Sequence, residues 1–199
     1  MTVERAESYP LRRREVVARL LQDRGELLVV SALGAPSWDV AAAGDSPLTF
    51  PLWGAMGGAV TMGLGLALAR PERRVLVVTG DGEMLMGLGS LATVGLKQPV
   101  NLAIVVLDNE RYGETGMQAT HTAGPVDLAA LAVGAGFPVA GGIYDDAQLS
   151  DALPRIRAEP GPVFFDIKVR AEELPLVMPP KDGAELKERF RNALLGPEG

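Results

Sequence analysis

The sequence has no cysteine among its 199 residues, which excludes disulfides, thiolate metal sites and iron–sulfur clusters from this chain. It has one histidine, His121, too few for a self-contained multi-histidine metal site. Basic residues are the minority: 19 Lys plus Arg stand against 25 Asp plus Glu, for a net charge of −6, and no long basic run occurs. That balance argues against nucleic-acid binding. Long apolar runs are also missing. The most membrane-like stretch, GAMGGAVTMGLGLALA from Gly54 to Ala69, has 16 residues and many glycines, short of the roughly 20 that span a bilayer. The N-terminal MTVERAESYPLRRRE is charged and lacks an apolar centre, unlike a secretory signal. These absences lead to the expectation of a soluble, cytoplasmic protein with neither nucleic acid nor membrane as partner.

What is present is enough apolar material for a real core, 47% of residues, in a length that suits one domain over 1–199. Continuous apolar runs read as buried strands at Leu27–Ser31, Val75–Thr79, Leu102–Leu107, Pro138–Ile143 and Val163–Val169. Helical spacing or capping signals mark Tyr9–Asp23, Trp38–Ala43, Ala55–Ala69, Glu83–Lys97, Asp127–Ala135, Asp145–Arg157 and Asp182–Leu195. Residues 1–24 and 180–199 read as peripheral helical segments. Gly44–Gly54 is a proline-bearing connection, and Glu110–Pro125 is a long polar loop without periodicity, a length usually reserved for function. Strands alternate with helices, which predicts a doubly wound α/β fold: a mostly parallel sheet with helices on both faces. Glycines 57, 58, 63 and 65 cost the Ala55–Ala69 helix roughly 1 kcal/mol each, so close backbone approach must offset that cost.

The stretch VLVVTGDGEMLMGLGSLATVGLKQPVNLAIVVLDNERYGETGMQ, Val75 to Gln118, carries the chemistry. Gly80-Asp81-Gly82 closes one expected strand and Asp108-Asn109 closes the next, with 26 residues between Gly82 and Asn109. Both points then fall at carboxyl ends of parallel strands, where open α/β sheets bind ligands. Glycines let the backbone turn and approach a ligand, and the helix start at Glu83 offers N–H groups to a phosphate. Asp81 can hold a hard cation that prefers oxygen. Asp81, the Asn109 amide oxygen and a carbonyl from Arg111 make three ligands of an octahedral Mg²⁺ site, with diphosphate and water completing it. Asp-Gly alone is also an ordinary turn, and Asn after a strand is common; the pair at this spacing is more specific. No GxxxxGK[ST] or GxGxxG pattern is present.

The GDG…DN pair resembles the thiamine-diphosphate motif of the 2-oxo acid decarboxylase and acetolactate synthase superfamily, in its diphosphate-binding domain. The resemblance implies thiamine diphosphate and Mg²⁺ as cofactors, with Asp81, Asn109 and Arg111 as metal ligands. Asp108 stands where that family often has Asn, which touches no metal ligand. Gly54-Ala55-Met56-Gly57 resembles the segment that contacts the aminopyrimidine: the Gly54 carbonyl accepts from the 4′-amino group, and Met56 is the wedge beneath the bent cofactor. The implied cofactor set is Gly54, Ala55, Met56, Gly80, Asp81, Gly82, Glu83, Asn109, Arg111, Tyr112 and Gly113. The likeness narrows to sulfopyruvate and phosphonopyruvate decarboxylases through DNERYGETGMQ, Asp108 to Gln118, and covers roughly residues 25 to 170.

In that superfamily a glutamate from a pyrimidine-binding domain activates the cofactor, and no second βαβ set fits in this sequence. The expected protein is therefore a cofactor-binding beta subunit that works with a separate alpha subunit carrying the glutamate, as a hetero-oligomer or with a second copy of itself, on a small 2-oxo acid. No catalytic residue is assigned in this chain; His121 and Glu114 are the weak candidates, with Gln118 beside them. Arg12 to Arg14 read as a solvated helix face and Asp166 as a structural strand residue. Other readings are a carboligase or 2-oxo acid oxidoreductase subunit, or a non-catalytic thiamine-diphosphate module; the lack of cysteine weighs against the oxidoreductase.

Overall fold

The apolar runs become parallel strands because each must bury side chains on both sides at once. A computed structural model describes residues 4–196; positions 1–3 and 197–199 of the expected terminal segments lie outside the described residues. The strands are β1 (Leu28–Ser31), β2 (Thr49–Pro51), β3 (Val75–Gly80), β4 (Leu102–Asp108), β5 (Arg111–Tyr112), β6 (Gln118–Ala119), β7 (Val139–Ile143) and β8 (Val163–Lys168). Six form one sheet in the order β2-β1-β3-β4-β8-β7, parallel throughout. β5 and β6 form a separate antiparallel pair.

The helices are α1 (Glu4–Ser8), α2 (Arg13–Leu21), α3 (Ala35–Ala42), α4 (Ala59–Ala69), α5 (Asp81–Met86), α6 (Ser90–Lys97), α7 (Leu128–Gly134), α8 (Asp146–Ala158) and α9 (Gly183–Leu195). One face of the sheet, with Val29, Leu76, Val105 and Phe165, packs against α2, α3 and α8. The other, with Val30, Val77, Ile104 and Phe164, packs against α4, α6, α7 and the Phe190 of α9. Val77, Ile104 and Phe164 are fully buried, each worth about 1.5–3 kcal/mol of apolar burial. The doubly wound α/β architecture is therefore the one expected. Helix α2, inside the segment expected to be peripheral, buries Val16, Val17, Leu20 and Leu21.

Several boundaries differ from expectation for local reasons. The expected Tyr9–Asp23 helix shortens to α2, with α1 a separate helix before it, because Pro10 disfavours a helical Tyr9 and the chain there pairs with the segment after β8: Ala171 and Arg170 donate their N–H groups to the carbonyls of Ala6 and Leu11, both at 2.8 Å. The expected Glu83–Lys97 helix is two helices, α5 and α6, separated by Gly87–Gly89, and α5 already starts at Asp81. Helix α3 starts at Ala35 with Pro36 in its first turn, a position that suits proline. Edge strand β2 was hidden by its shortness and by Pro51, which only an edge tolerates. In α4, Gly63 explains its own presence: a Cβ there would lie 2.2 Å from Val77 Cγ2, whereas Gly65 faces open space.

Arg13 and Arg14 are not a solvated face. Their Nε atoms lie 3.1 and 3.0 Å from the carboxylate of Asp39, which is fully buried in α3. A buried carboxylate needs cationic partners, and the periodicity of α2 alone carried no sign of one.

Candidate active site at the carboxyl edge

In register, Gly80 of β3 lies beside Leu107 of β4, so Asp81 and Asp108 leave the sheet side by side and Asn109 follows. Asp81 is 2% exposed. Its Oδ2 accepts from Thr120 Oγ1 at 2.5 Å and from Thr122 Oγ1 at 3.2 Å. Burial first, then the charge of Asp108, pushes the Asp81 carboxyl upward in pKa.

Asp108 is the hub. Its Oδ1 accepts from Thr122 Oγ1 and from the Glu110 N–H, each at 2.8 Å, and its Oδ2 accepts from Lys168 Nζ at 2.6 Å. Lys168 also reaches Glu110 at 3.2 Å. Burial opposes the Lys168 charge, but Asp108, Asp166 and Glu110 outweigh it and raise its pKa. Glu110, at φ 60°, is buried beneath Arg5 and the Tyr9 hydroxyl, which donates at 2.8 Å. Asn109 closes a turn, its Oδ1 accepting from the Arg111 N–H at 3.0 Å. Arg111 opens the β5–β6 hairpin.

Tyr112 packs on the Gly80–Gly82 turn: a Cβ on Gly82 would lie 2.5 Å from Tyr112 Cε1. Gly113 follows in a short 3-10 turn with Glu114. Glu114 reaches away to α3, where its Oε1 accepts from Trp38 Nε1 at 3.2 Å. His121 is exposed on a second 3-10 turn. Neither weak candidate therefore joins the Asp81–Asp108 cluster by the contacts it makes.

Glu83 sits in the first turn of α5 with its carboxylate turned inward, to Thr79 Oγ1 at 2.7 Å and the Ala59 N–H at 3.2 Å. Gly54, Ala55 and Met56 are exposed on the turn before α4, and Met56 retains 40% of its surface. That turn touches α5 at its far end, Gly57 against Gly87. The chain thus gathers Gly80, Asp81, Gly82, Asn109, Arg111 and Tyr112 at two neighbouring strand ends, with Gly54–Met56 joined to them through α5.

Thr120, Thr122 and Lys168 were not foreseen. The threonines come from an aperiodic loop, where spacing carries no signal. Asp166 and Lys168 did leave one: two charges at i and i+2 inside an apolar strand share a face of a buried sheet, so they needed partners. Lys168 found Asp108, while Asp166 is buried with its carboxyl raised in pKa by burial and by Asp108. At the opposite edge of the sheet, a cavity of about 220 Å³ is lined by Arg24, Arg73, Arg74 and Arg157. Arg74 and Arg157 there donate to carbonyls at the ends of α8 and α2, so these cations cap helices.

A model of "Thiamine pyrophosphate enzyme, C-terminal TPP binding domain" matches residues 37–167, which includes Asp81, Asp108, Asn109, Thr120 and Thr122. The chain belongs to that family. It is 40% identical over 186 residues to "Sulfopyruvate decarboxylase subunit beta" of Methanothermobacter thermautotrophicus, covering 94% of this chain and 97% of that one. It is 43% identical over 164 residues to "Phosphonopyruvate decarboxylase" of Streptomyces viridochromogenes, covering 82% of this chain but 41% of the longer protein. The fold superposes on benzoylformate decarboxylase from Polynucleobacter necessarius with a TM-score of 0.67 at 21% identity, over 88% of this chain and 36% of the other.

The donors fit a hard cation bound together with a diphosphate. Among the described residues no group of three or more His, Cys, Asp or Glu could hold a metal. One carboxylate, one amide oxygen and one carbonyl make a sparse oxygen set of the kind Mg²⁺ takes when phosphates supply the rest. No described helix is long and apolar enough to cross a membrane.

Proposed function

We propose that this chain is the cofactor-binding beta subunit of a thiamine-diphosphate- and Mg²⁺-dependent 2-oxo acid decarboxylase, active with a separate pyrimidine-binding subunit. The observation that carries the reading is the match along almost the whole of a protein called subunit beta, joined to Asp81 and Asn109 at adjacent strand ends. Asp81, the Asn109 amide oxygen and the Arg111 carbonyl hold Mg²⁺. The backbone of Gly80–Gly82 and the first turn of α5 receive the diphosphate, and Tyr112 and Gly113 close that end. Gly54 would offer its carbonyl to the aminopyrimidine, and Met56 would support that ring. Thr120, Thr122 and Asp108 keep the Asp81 carboxylate oriented, and Lys168 balances Asp108. When bound, thiamine diphosphate supplies the electron sink for loss of CO₂ from the 2-oxo acid. The activating glutamate comes from the partner, and a 2-oxo acid with an anionic tail, sulfopyruvate or phosphonopyruvate, is the substrate class.

The test is CO₂ release from both acids with thiamine diphosphate and Mg²⁺, using the chain alone and the chain co-purified with its partner. Turnover by the pair and none by the lone chain supports the reading. Robust turnover by the lone chain overturns the split arrangement, and an inert pair that binds cofactor overturns the decarboxylase.

A further inference from the structure

Glu83 is an unusual residue in its place. It lies two positions after Asp81, is 5% exposed, and spends its carboxylate on groups outside its own helix. Oε2 accepts from the hydroxyl of Thr79, near the end of β3, at 2.7 Å. Oε1 accepts from the N–H of Ala59, the first residue of α4, at 3.2 Å; burial pushes the carboxyl up in pKa against the Thr79, Ala59 and Gly57 donors, which favour its charge. The start of a helix leaves N–H groups without intrahelical partners, and the residue before α4 is Gly58, which has no side chain to cap it. Glu83 is thus the cap of α4, delivered from another helix.

A cap alone requires much less. Serine, threonine or aspartate beside α4 would satisfy those N–H groups locally, without taking a carboxylate out of water from across the fold. What the remote cap adds is a tie. It binds the Gly54–Gly58 turn to the first turn of α5, whose opening residue is Asp81. A second contact binds the same turn to the other end of α5. Gly57 is at φ 87°, and its carbonyl lies so close to Gly87 that a Cβ on Gly87 would be 2.3 Å from it. Helix α5 is six residues long, about 9 Å at 1.5 Å per residue. It is held at both ends to the turn that carries Gly54, Ala55 and Met56.

We infer that Glu83 is a positioning residue, and that α5 is a rigid spacer setting the separation between the metal–diphosphate end of the site and the Gly54–Met56 turn. The inference rests on the proposed cofactor reading and deepens it, since a ligand that spans both ends needs them at a fixed separation. Glu83 itself touches the turn and Thr79, so its effect on ligand passes through Gly57 and Ala59.

The test uses the full-length chain and the variants Glu83→Gln and Thr79→Val. Glu83→Gln keeps the size but sets amide hydrogens against backbone donors. Thr79→Val removes only the hydroxyl that orients the carboxylate, and serves if the first variant does not fold. In ligand-free protein, amide exchange at Gly57 and Ala59 should quicken about tenfold or more in Glu83→Gln, the worth of one charge-assisted hydrogen bond. The fluorescence of Trp53, next to Gly54, then reports two titrations with Mg²⁺. Thiamine diphosphate, which needs both ends, should weaken about tenfold. Inorganic diphosphate, which needs one, should stay within about twofold. Thr79→Val should show the same pattern at smaller size. Unchanged exchange, or equal weakening of both ligands, overturns the spacer. Wild-type chain that binds neither ligand, with the exchange difference intact, overturns the cofactor reading and the spacer's purpose with it.

Discussion

The two ends of the site are built to different standards. At the strand ends, Asp81, Asp108, Asn109, Thr120 and Thr122 are all buried, and the carboxylates of Asp81 and Asp108 are met by the hydroxyls of Thr120 and Thr122 or the ammonium of Lys168. At the other end, Gly54, Ala55 and Met56 lie open, and nearby Met86 keeps 66% of its surface. One end is complete within this chain. The other presents apolar side chains to water, as surfaces awaiting a partner do. Under the proposed function, the buried end would hold the metal and the open end would be left for a second chain to cover.

The difference is breakable, and the largest effect belongs to the finished end. Asp81→Ala should abolish Mg²⁺-dependent binding of thiamine diphosphate, by more than the roughly 10–100-fold that loss of a mere supporting group costs. Calorimetric titration reads this directly. The same substitution removes a carboxylate that burial and Asp108 already disfavour. The melting temperature of the ligand-free variant should therefore hold or rise, as relief of a strained functional group often allows. Loss of binding with collapse of the fold would mean that Asp81 serves the structure; unchanged affinity would remove it from the metal.

Next comes Lys168→Met, which keeps the packing of the stem and deletes the charge between Asp108 and Glu110. Breaking a buried pair leaves uncompensated carboxylates and costs about 3–5 kcal/mol. Urea denaturation should show that loss, with Glu110 still held by Arg5 and Tyr9. A loss under about 1 kcal/mol, the size of an exposed pair, would show that the finished end does not depend on this closure.

How much of this was written in the sequence follows from the range of each interaction. Strands β1, β3, β4 and β8 announced themselves, since a parallel sheet buried on both faces makes continuous apolar runs. Asp127 and Asp145 announced two helix starts by local capping, and each does accept an N–H, from Ala130 and Gln148. The pairing of Asp81 with the Asp108-Asn109 corner was legible because a helical crossover and its return strand have a nearly fixed length, even though the crossover proved to be two helices, α5 and α6. The partners of those residues were not legible. Thr122 meets Asp108 across 14 positions, Lys168 across 60 and Arg5 reaches Glu110 across 105, and no local pattern encodes such meetings. Glu83 was expected to face the diphosphate because it begins a helix after a glycine turn. That expectation concerned the backbone N–H groups of the helix start; the side chain goes to Ala59, where the open start of α4 needed a partner.

The smallest effect lies at the unfinished end, and its smallness is informative. Met56→Ala in the lone chain should change stability by no more than about 0.5 kcal/mol, the range of surface positions away from special features, because 40% of the residue is already in water. A methionine packed in a finished core would cost about 2–5 kcal/mol. If the partner covers this end, as the proposed function requires, the cost of the same substitution should grow when the melting point is measured with the partner bound. A loss of core size in the lone chain would mean that Met56 is plain core. Equal small losses with and without the partner would mean that the partner does not cover this end, and the contrast between the two ends would need another cause.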